Sequence, residues 1–136
     1  MNLLSQIERD EGFRQFPYAD SVGVWTIGIG RNLESNGVSL EEARYLAQND
    51  IERITAALRQ RLHWFDTHSE RRQAVLINMA FNMGIGGLLG FKKLIAALEV
   101  GDYQIAAQEM LNSKWAKQVG VRAERLAKQM TTNEWM

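Results

Sequence analysis

The sequence predicts an α+β protein, in which a short helix and a small sheet precede a long helix and a helical remainder. Three observations lead to this fold class. Apolar residues recur at helical spacing at the start of the chain. Aromatic, β-branched and glycine residues crowd together over residues 13–30, as they do in a hairpin or small sheet. Beyond residue 39, apolar residues keep a helical period almost to the end of the chain.

The boundaries of the first elements follow from turn and cap residues. Gly12 is expected to end the first helix, because glycine readily takes the left-handed conformation after a last helical turn. The aromatic and glycine-rich segment then predicts strands up to Gly30. The sequence Ser39-Leu40-Glu41-Glu42 has the pattern of a capping box and predicts a long helix that reaches about Leu62.

The second half of the chain is predicted to be helical throughout. Its expected helices run from about Ser69 to the glycines at 84–87, from Phe91 to Val100, around Ile105–Leu111 and around Val121–Met130, with Asp102 as a cap. We therefore expect one domain, residues 1–136. Its sheet-bearing lobe spans about 12–40, its linking helix about 40–61, and its helical lobe about 62–136 together with 1–11. A cleft between unequal lobes is a usual place for a substrate.

Composition narrows the classes of function. The chain has no cysteine, so a disulfide framework and a cysteine nucleophile are excluded. Its formal net charge is zero, which gives little support to a nucleic-acid partner. His63 and His68 lack the ligand pattern of a metal site, and Gly28-x-Gly30 lacks the third glycine of a dinucleotide fingerprint, so no metal and no cofactor are expected. The N-terminus lacks a signal-peptide pattern and no run has transmembrane length, so we expect no membrane insertion and a cytoplasmic location.

Three residues of the N-terminal part could carry chemistry. Glu11 lies at the end of the first helix, where the partial negative charge of the helix disfavours a carboxylate and so favours a proton donor. Asp20 lies in a turn and Thr26 in a strand. Taken singly, each has an ordinary alternative: a surface acid, a turn-forming Asp and a strand Thr. Together they provide the acid and the second carboxylate that glycoside hydrolysis requires.

The arrangement of these residues resembles a known family. Glu11-Gly12-Phe13-Arg14, Tyr18-Ala19-Asp20 and Thr26-Ile27-Gly28-Ile29-Gly30 are similar to the catalytic signature of the T-even phage lysozymes, which are endolysins of glycoside hydrolase family 24. The second half resembles the same family at residues 71–84, Gly90-Phe91, Ser113-Lys114-Trp115 and residues 122–125. The resemblance spans almost the whole chain and implies a lysozyme-like fold.

The resemblance also implies an activity. The family cleaves the β-1,4 bond between N-acetylmuramic acid and N-acetylglucosamine in peptidoglycan, with inversion. By resemblance, Glu11 is the general acid, Asp20 the base or electrostatic partner, and Thr26 the residue that helps to hold the attacking water. The residues expected to bind substrate are Asn32, Phe81, Asn82 and Arg122, of which Arg122 matches an arginine that pairs with the catalytic Glu. The alternative for Phe81 is a place in the core.

The chain departs from the family pattern in three respects. Arg31-Asn32 follows the glycine-rich run where the family commonly has His, so an Arg31–Asp50 bridge is expected in place of a His–Asp pair. The connection from Gly30 to Ser39 is shorter than in well-known members by roughly the length of a hairpin. The neutral net charge also predicts weaker attraction to the anionic wall than in basic members.

Three hypotheses of function remain open. The first is an active muramidase that lyses the host cell and releases phage; it would be a monomer, accumulate in the host cytoplasm and reach the wall through a holin lesion. The second is a non-catalytic wall-binding or structural module on the same fold, because a fold does not determine a function. The third, a helical DNA-binding protein, has little support from the neutral charge.

Overall fold

The computed structural model describes residues 2–136 and has the expected α+β architecture. In this range there are seven α-helices and one small antiparallel sheet of three strands. The helices are α1 (Leu3–Glu11), α2 (Leu40–Arg61), α3 (Glu70–Leu89), α4 (Lys92–Glu99), α5 (Tyr103–Leu111), α6 (Lys114–Val119) and α7 (Val121–Thr132). The strands are β1 (Arg14–Ala19), β2 (Trp25–Gly28) and β3 (Arg31–Asn32). The predicted fold class is confirmed.

The chain divides into two compact units, and the division falls inside α2, between Leu46 and Ala47. The first unit contains α1, the sheet and the start of α2, and the second contains the remaining helices. The sequence instead assigned residues 1–11 to the helical lobe. The lobe limits inferred from the sequence stay a prediction.

Helix α1 begins and ends as its flanking residues indicate. The side-chain oxygen of Asn2 accepts a hydrogen bond from the Ser5 amide at 2.8 Å, which caps the first turn. At the other end, the Gly12 amide donates to the Glu8 carbonyl at 2.8 Å and Gly12 takes a φ of +73°. Because this conformation suits glycine, the helix stops directly after Glu11.

The sheet has the order β1-β2-β3, with both pairs antiparallel. Thr26 in the middle strand pairs with Tyr18 on one side and Asn32 on the other. Residues paired directly across antiparallel strands share one face, so these three side chains form a row on the same face of the sheet. The register of the first pair shifts between Arg14 and Tyr18.

The predicted capping box at the start of α2 is confirmed. The Ser39 amide donates to Glu42 Oε1 at 2.8 Å, and the Glu42 amide donates to Ser39 Oγ at 3.1 Å. The predicted Arg31–Asp50 bridge, in contrast, is wrong. Arg31 binds both carboxylate oxygens of Glu42, and Asp50 pairs with Arg53 at 2.8 Å. Glu42 thus completes the capping box and also forms an ion pair with Arg31.

The second unit holds the apolar core. Among residues 2–136, the buried apolar residues all lie between Ile54 and Met130, and the largest fully buried side chain is Phe65. The predicted end of α3 at the glycine cluster appears as a break at Gly84, whose φ of +84° is not helical. No single helix in residues 2–136 is long and apolar enough to cross a membrane; α3 and α4 reach that limit only when counted together, across a 97° bend.

Candidate active site

The carboxylate of Glu11 lies directly against the backbone of Gly30. A Cβ atom built on Gly30 would be 2.9 Å from Glu11 Oε2 and 3.0 Å from its Cδ. Real Cβ atoms do not come this close to other heavy atoms, so only glycine fits beside Glu11 in this arrangement. The predicted acid therefore sits at the last residue of α1, in contact with the turn between β2 and β3.

Asp20 closes the turn between β1 and β2. Its Oδ1 accepts hydrogen bonds from the amides of Val22, at 2.9 Å, and Val24, at 2.8 Å. The Asp20 amide in turn donates to the Val24 carbonyl at 2.9 Å. These bonds confirm the turn-forming role that Asp commonly has. Both side-chain bonds use the same oxygen, Oδ1, and they fix the direction in which Oδ2 points.

Thr26 is the only buried side chain among residues 2–46, with 5% of its surface exposed. Its hydroxyl donates to the Val24 carbonyl at 2.9 Å. Val24 thus binds Asp20 through both its amide and its carbonyl and binds Thr26 through the same carbonyl. The structure therefore brings Asp20 and Thr26 together through one backbone residue.

Asn32 lies in the same row of the sheet as Thr26. Its Oδ1 accepts a hydrogen bond from the Ser35 amide at 2.9 Å and so shapes the turn after β3. This bond leaves the amide nitrogen of the side chain as the group that could donate to a sugar. The predicted substrate-binding role of Asn32 stays a prediction.

The turn that contains Gly30 is anchored by Arg31, the residue that follows it. Arg31 donates to the Gly37 carbonyl at 2.9 Å and to Glu42 Oε1 at 3.0 Å, and its other terminal nitrogen binds Glu42 Oε2. The hydrogen bond from Arg31 is the largest cause that lowers the pKa of Glu42 from 4.5 to about 2, followed by the bonds from Ser39. The pair therefore remains charged over the range in which most enzymes work.

In the second unit, Arg122 and Phe81 line one groove of about 480 Å³. Arg122 donates to Asn78 Oδ1 at 2.7 and 3.0 Å and to the Asn78 carbonyl at 3.3 Å. Phe81 is 45% exposed in this groove, so the alternative of a core position is wrong. The pairing of Arg122 with Glu11, which the resemblance implies, stays a prediction.

Asn82 has a structural contact that the sequence does not reveal. Its Oδ1 accepts a hydrogen bond at 2.8 Å from the indole nitrogen of Trp115, a side chain with only 6% of its surface exposed. The ring of Phe91 packs edge-on against Trp115, with 6.2 Å between the ring centroids. A second concave surface, of about 430 Å³, lies at Phe91 and Trp115 and carries Lys92, Lys93 and Lys114.

Reasoning from the sequence missed three contributors to these sites. Tyr18 shares the sheet face of Thr26, and the guanidinium of Arg14 lies 4.2 Å from the centre of its ring. Gly30 has no side chain and so leaves the space that the Glu11 side chain occupies. Asn78 binds Arg122 from the neighbouring helix. The glycine at the end of the Thr26–Gly30 run was the one signal available, because glycine in a strand segment often marks a close approach.

The chain is similar to several known proteins. A family model described as phage lysozyme matches residues 8–131. Enterobacteria phage T4 has a pre-baseplate central spike protein that is 28% identical over 155 aligned positions, which cover 93% of this chain but only 27% of the spike protein. Dictyostelium discoideum has a probable T4-type lysozyme that is 27% identical, with 92% of this chain and 91% of that protein covered. The endolysin of Salmonella phage P22 is 25% identical, with coverages of 81% and 79%. Because the family model spans most of its length, the chain belongs to the phage lysozyme family, whose members are lysozyme-type glycosidases.

Proposed function

We propose that this chain is an endolysin that hydrolyses the β-1,4 bond between N-acetylmuramic acid and N-acetylglucosamine in bacterial peptidoglycan. Membership of the phage lysozyme family supports a glycosidase that lyses peptidoglycan. The arrangement of Glu11, Asp20 and Thr26 in the first unit supports the finer assignment. The observation that carries it is the shared attachment of Asp20 and Thr26 to the backbone of Val24.

Glu11 is the general acid in this proposal. It protonates the oxygen of the leaving sugar while positive charge develops on the anomeric carbon. One side of the carboxyl group lies against Gly30, and in the proposal the substrate approaches from the other side.

Asp20 and Thr26 act on the water. The Thr26 hydroxyl uses its proton in the bond to Val24, so its lone pairs are left to accept a hydrogen bond from a water molecule. Asp20 is held by two backbone amides on Oδ1, and in the proposal Oδ2 takes the second proton of that water. A water activated in this way attacks the face opposite the leaving group, and the anomeric configuration inverts.

The experiment that tests the proposal compares clearing of purified Gram-negative peptidoglycan by the parent, Glu11→Gln and Glu8→Gln. Glu8 lies on the same helix, so Glu8→Gln changes the charge of α1 equally without touching the proposed acid. We expect the parent and Glu8→Gln to clear the substrate and Glu11→Gln to lose at least about 100-fold in rate, the usual contribution of a general acid. Equal clearing by Glu11→Gln and the parent, with folding intact by circular dichroism, would show that another residue is the acid.

The biological role extends the proposal. We propose that the protein accumulates as a monomer in the host cytoplasm, reaches the wall after a holin opens the membrane, and so lyses the host and releases phage. Expression in a bacterial host tests this role: the culture should lyse when a holin is expressed with the protein and should continue to grow when the protein is expressed alone. Sedimentation analysis at several concentrations tests for the monomer.

A second candidate is a lysozyme module within a larger structural assembly. The match to a central spike protein, of which this chain spans 27% of the length, favours it. Within this candidate, the non-catalytic version predicts that the folded parent binds peptidoglycan without cleaving it. Binding without release of soluble glycan would favour it over the endolysin.

A further inference from the structure

The space beside Gly30 is filled by a single side chain. The three atoms nearest to the position of a Cβ on this residue are Oε2, Cδ and Cγ of Glu11, at 2.9, 3.0 and 3.1 Å. The end of the Glu11 side chain therefore lies over the α-carbon of Gly30 along three consecutive atoms. A hydrogen at this position leaves room for that side chain, and a methyl group does not.

Gly28 provides an internal comparison two residues earlier. Its φ of +69° is close to the +72° of Gly30, so both positions have a positive φ that L-residues rarely adopt. A Cβ on Gly28, however, would meet nothing within 4 Å. The two glycines thus share a backbone requirement, but only Gly30 also has a steric one.

We infer that Gly30 is a positioning residue, which sets the place of the Glu11 carboxyl group by presenting bare backbone to it. This inference rests on the proposed function, in which Glu11 is the acid. A general acid must lie within hydrogen-bonding distance of the oxygen that it protonates. The contact with Gly30 limits the Glu11 side chain to rotamers that keep its carboxyl group in the position required for this proton transfer.

The turn around Gly30 is held more firmly than the side chain that touches it. Arg31 forms the ladder pair with Ile27 and binds both the Gly37 carbonyl and the carboxylate of Glu42. Glu11, in contrast, meets Gly30 with the far end of a flexible side chain. The clash of an added methyl group is therefore relieved by displacement of the carboxyl group, at little cost in folding beyond the strain of the positive φ, and the displacement acts on the chemical step.

The test compares Gly30→Ala with Gly28→Ala on a soluble peptidoglycan fragment. Because a displacement of 1 Å can cost about 100-fold in rate, we expect kcat of Gly30→Ala to fall by about that factor while KM stays close to that of the parent. Gly28→Ala also places an L-residue at a positive φ, but without the clash with Glu11, and should keep most of kcat. Equal kcat values in the two variants would overturn the inference.

A second measurement reads the position of the carboxyl group without relying on turnover. The ¹³C NMR signal of the Glu11 side-chain carboxyl should move in Gly30→Ala and stay in place in Gly28→Ala, and movement in both or in neither would contradict the contact. If Glu11→Gln is inactive while Gly30→Ala is fully active, the proposed function stands and the positioning role fails. A parent that is folded but inactive would overturn the proposed function and with it the role of Gly30.

A third variant keeps the test valid if Gly30→Ala does not fold. Glu11→Asp shortens the side chain by one methylene and vacates the space over Gly30. In that background, Gly30→Ala should fold as well as Gly28→Ala does. If it still failed to fold, the clash would involve something other than Glu11, and the inference would be wrong.

Discussion

Arg31 binds Glu42 through two nitrogens of its guanidinium and so joins the start of β3 to the first turn of α2. Glu42 at the same time accepts the Ser39 amide at the start of that helix. One carboxylate therefore caps a helix and anchors the turn beside Gly30. Arg31 therefore pairs with Glu42 and not with Asp50, the partner expected from the sequence.

Because of this ion pair, we expect part of the stability of the folded protein to depend on pH in the acid range. The pKa of Glu42 is lowered from 4.5 to about 2, chiefly by the hydrogen bond from Arg31. A lowered pKa in the folded state stabilises the protein above pH 4.5, and this contribution is lost as the pH falls from 4.5 towards 2. Glu42→Gln should reduce the dependence of the thermal midpoint on pH in that window, because glutamine can still complete the capping box. Glu41→Gln, one residue earlier in the same helical turn, is the control, and an identical pH dependence in both variants would contradict the account.

His68 predicts a second pH effect, in the second unit. The ring is buried, and its Nδ1 lies 2.8 Å from the Tyr103 hydroxyl. Burial lowers the pKa of His68 below 6.5; the charge of Arg72 acts in the same direction, while the Leu98 carbonyl opposes it. The unfolded chain thus takes up the proton first, and stability present above pH 6.5 falls as the pH drops through the folded-state pKa.

The variant His68→Leu should therefore flatten the change in unfolding free energy between pH 7 and pH 5. His63→Leu is a suitable control, because His63 is exposed and lies 3.8 Å from Glu99. Chemical denaturation at several pH values measures both. If the parent and His68→Leu lost stability equally on acidification, His68 would not be the group that titrates.

Asp20 closes a turn, the proposed mechanism also makes it the base, and different substitutions separate these two roles. Asp20→Asn keeps an acceptor for the amides of Val22 and Val24 but cannot act as a base, so activity should fall about 100-fold or more with little change in stability. Asp20→Ala also loses both hydrogen bonds and should lower the free energy of unfolding by about 1–2 kcal/mol. Equilibrium unfolding and peptidoglycan clearing distinguish the two. Full activity in Asp20→Asn would exclude Asp20 as base.

Asn82 should contribute to stability as well as to any contact with substrate. Asn82→Ala leaves the buried indole nitrogen of Trp115 without its acceptor, which should cost about 1–3 kcal/mol. Trp115→Phe removes the donor, so Asn82→Ala should cost much less in that background. A double-mutant cycle in urea measures this coupling, and additive effects would show that the hydrogen bond has no net value.

Local patterns predicted much of the fold. Gly12 marked the end of α1, and Ser39 with Glu42 marked the start of α2, because caps depend on residues three or four positions apart. The separate helix α6 was not predicted. It is only six residues long and ends at Gly120, whose φ of +59° separates it from α7, so its apolar period is too short to be recognised.

The contacts that shape the site were beyond the reach of periodicity. Arg31 could pair with any carboxylate that folding brings near it, and Glu42 is eleven positions away. The bond from Trp115 to Asn82 joins residues 33 positions apart, and the contact of Glu11 with Gly30 joins residues from a helix and a turn. Resemblance to a family supplied the candidate catalytic residues, and only the structure shows which neighbours hold them.

The most direct measurement of the central claim is the chemical identity of the end that the protein creates in purified peptidoglycan. After digestion, the new ends can be reduced with borohydride and identified by mass spectrometry. Our account predicts reducing ends of N-acetylmuramic acid, which appear with the parent and are absent with Glu11→Gln. New reducing ends of N-acetylglucosamine, anhydro ends without a reducing sugar, or no new ends from a folded parent would contradict it.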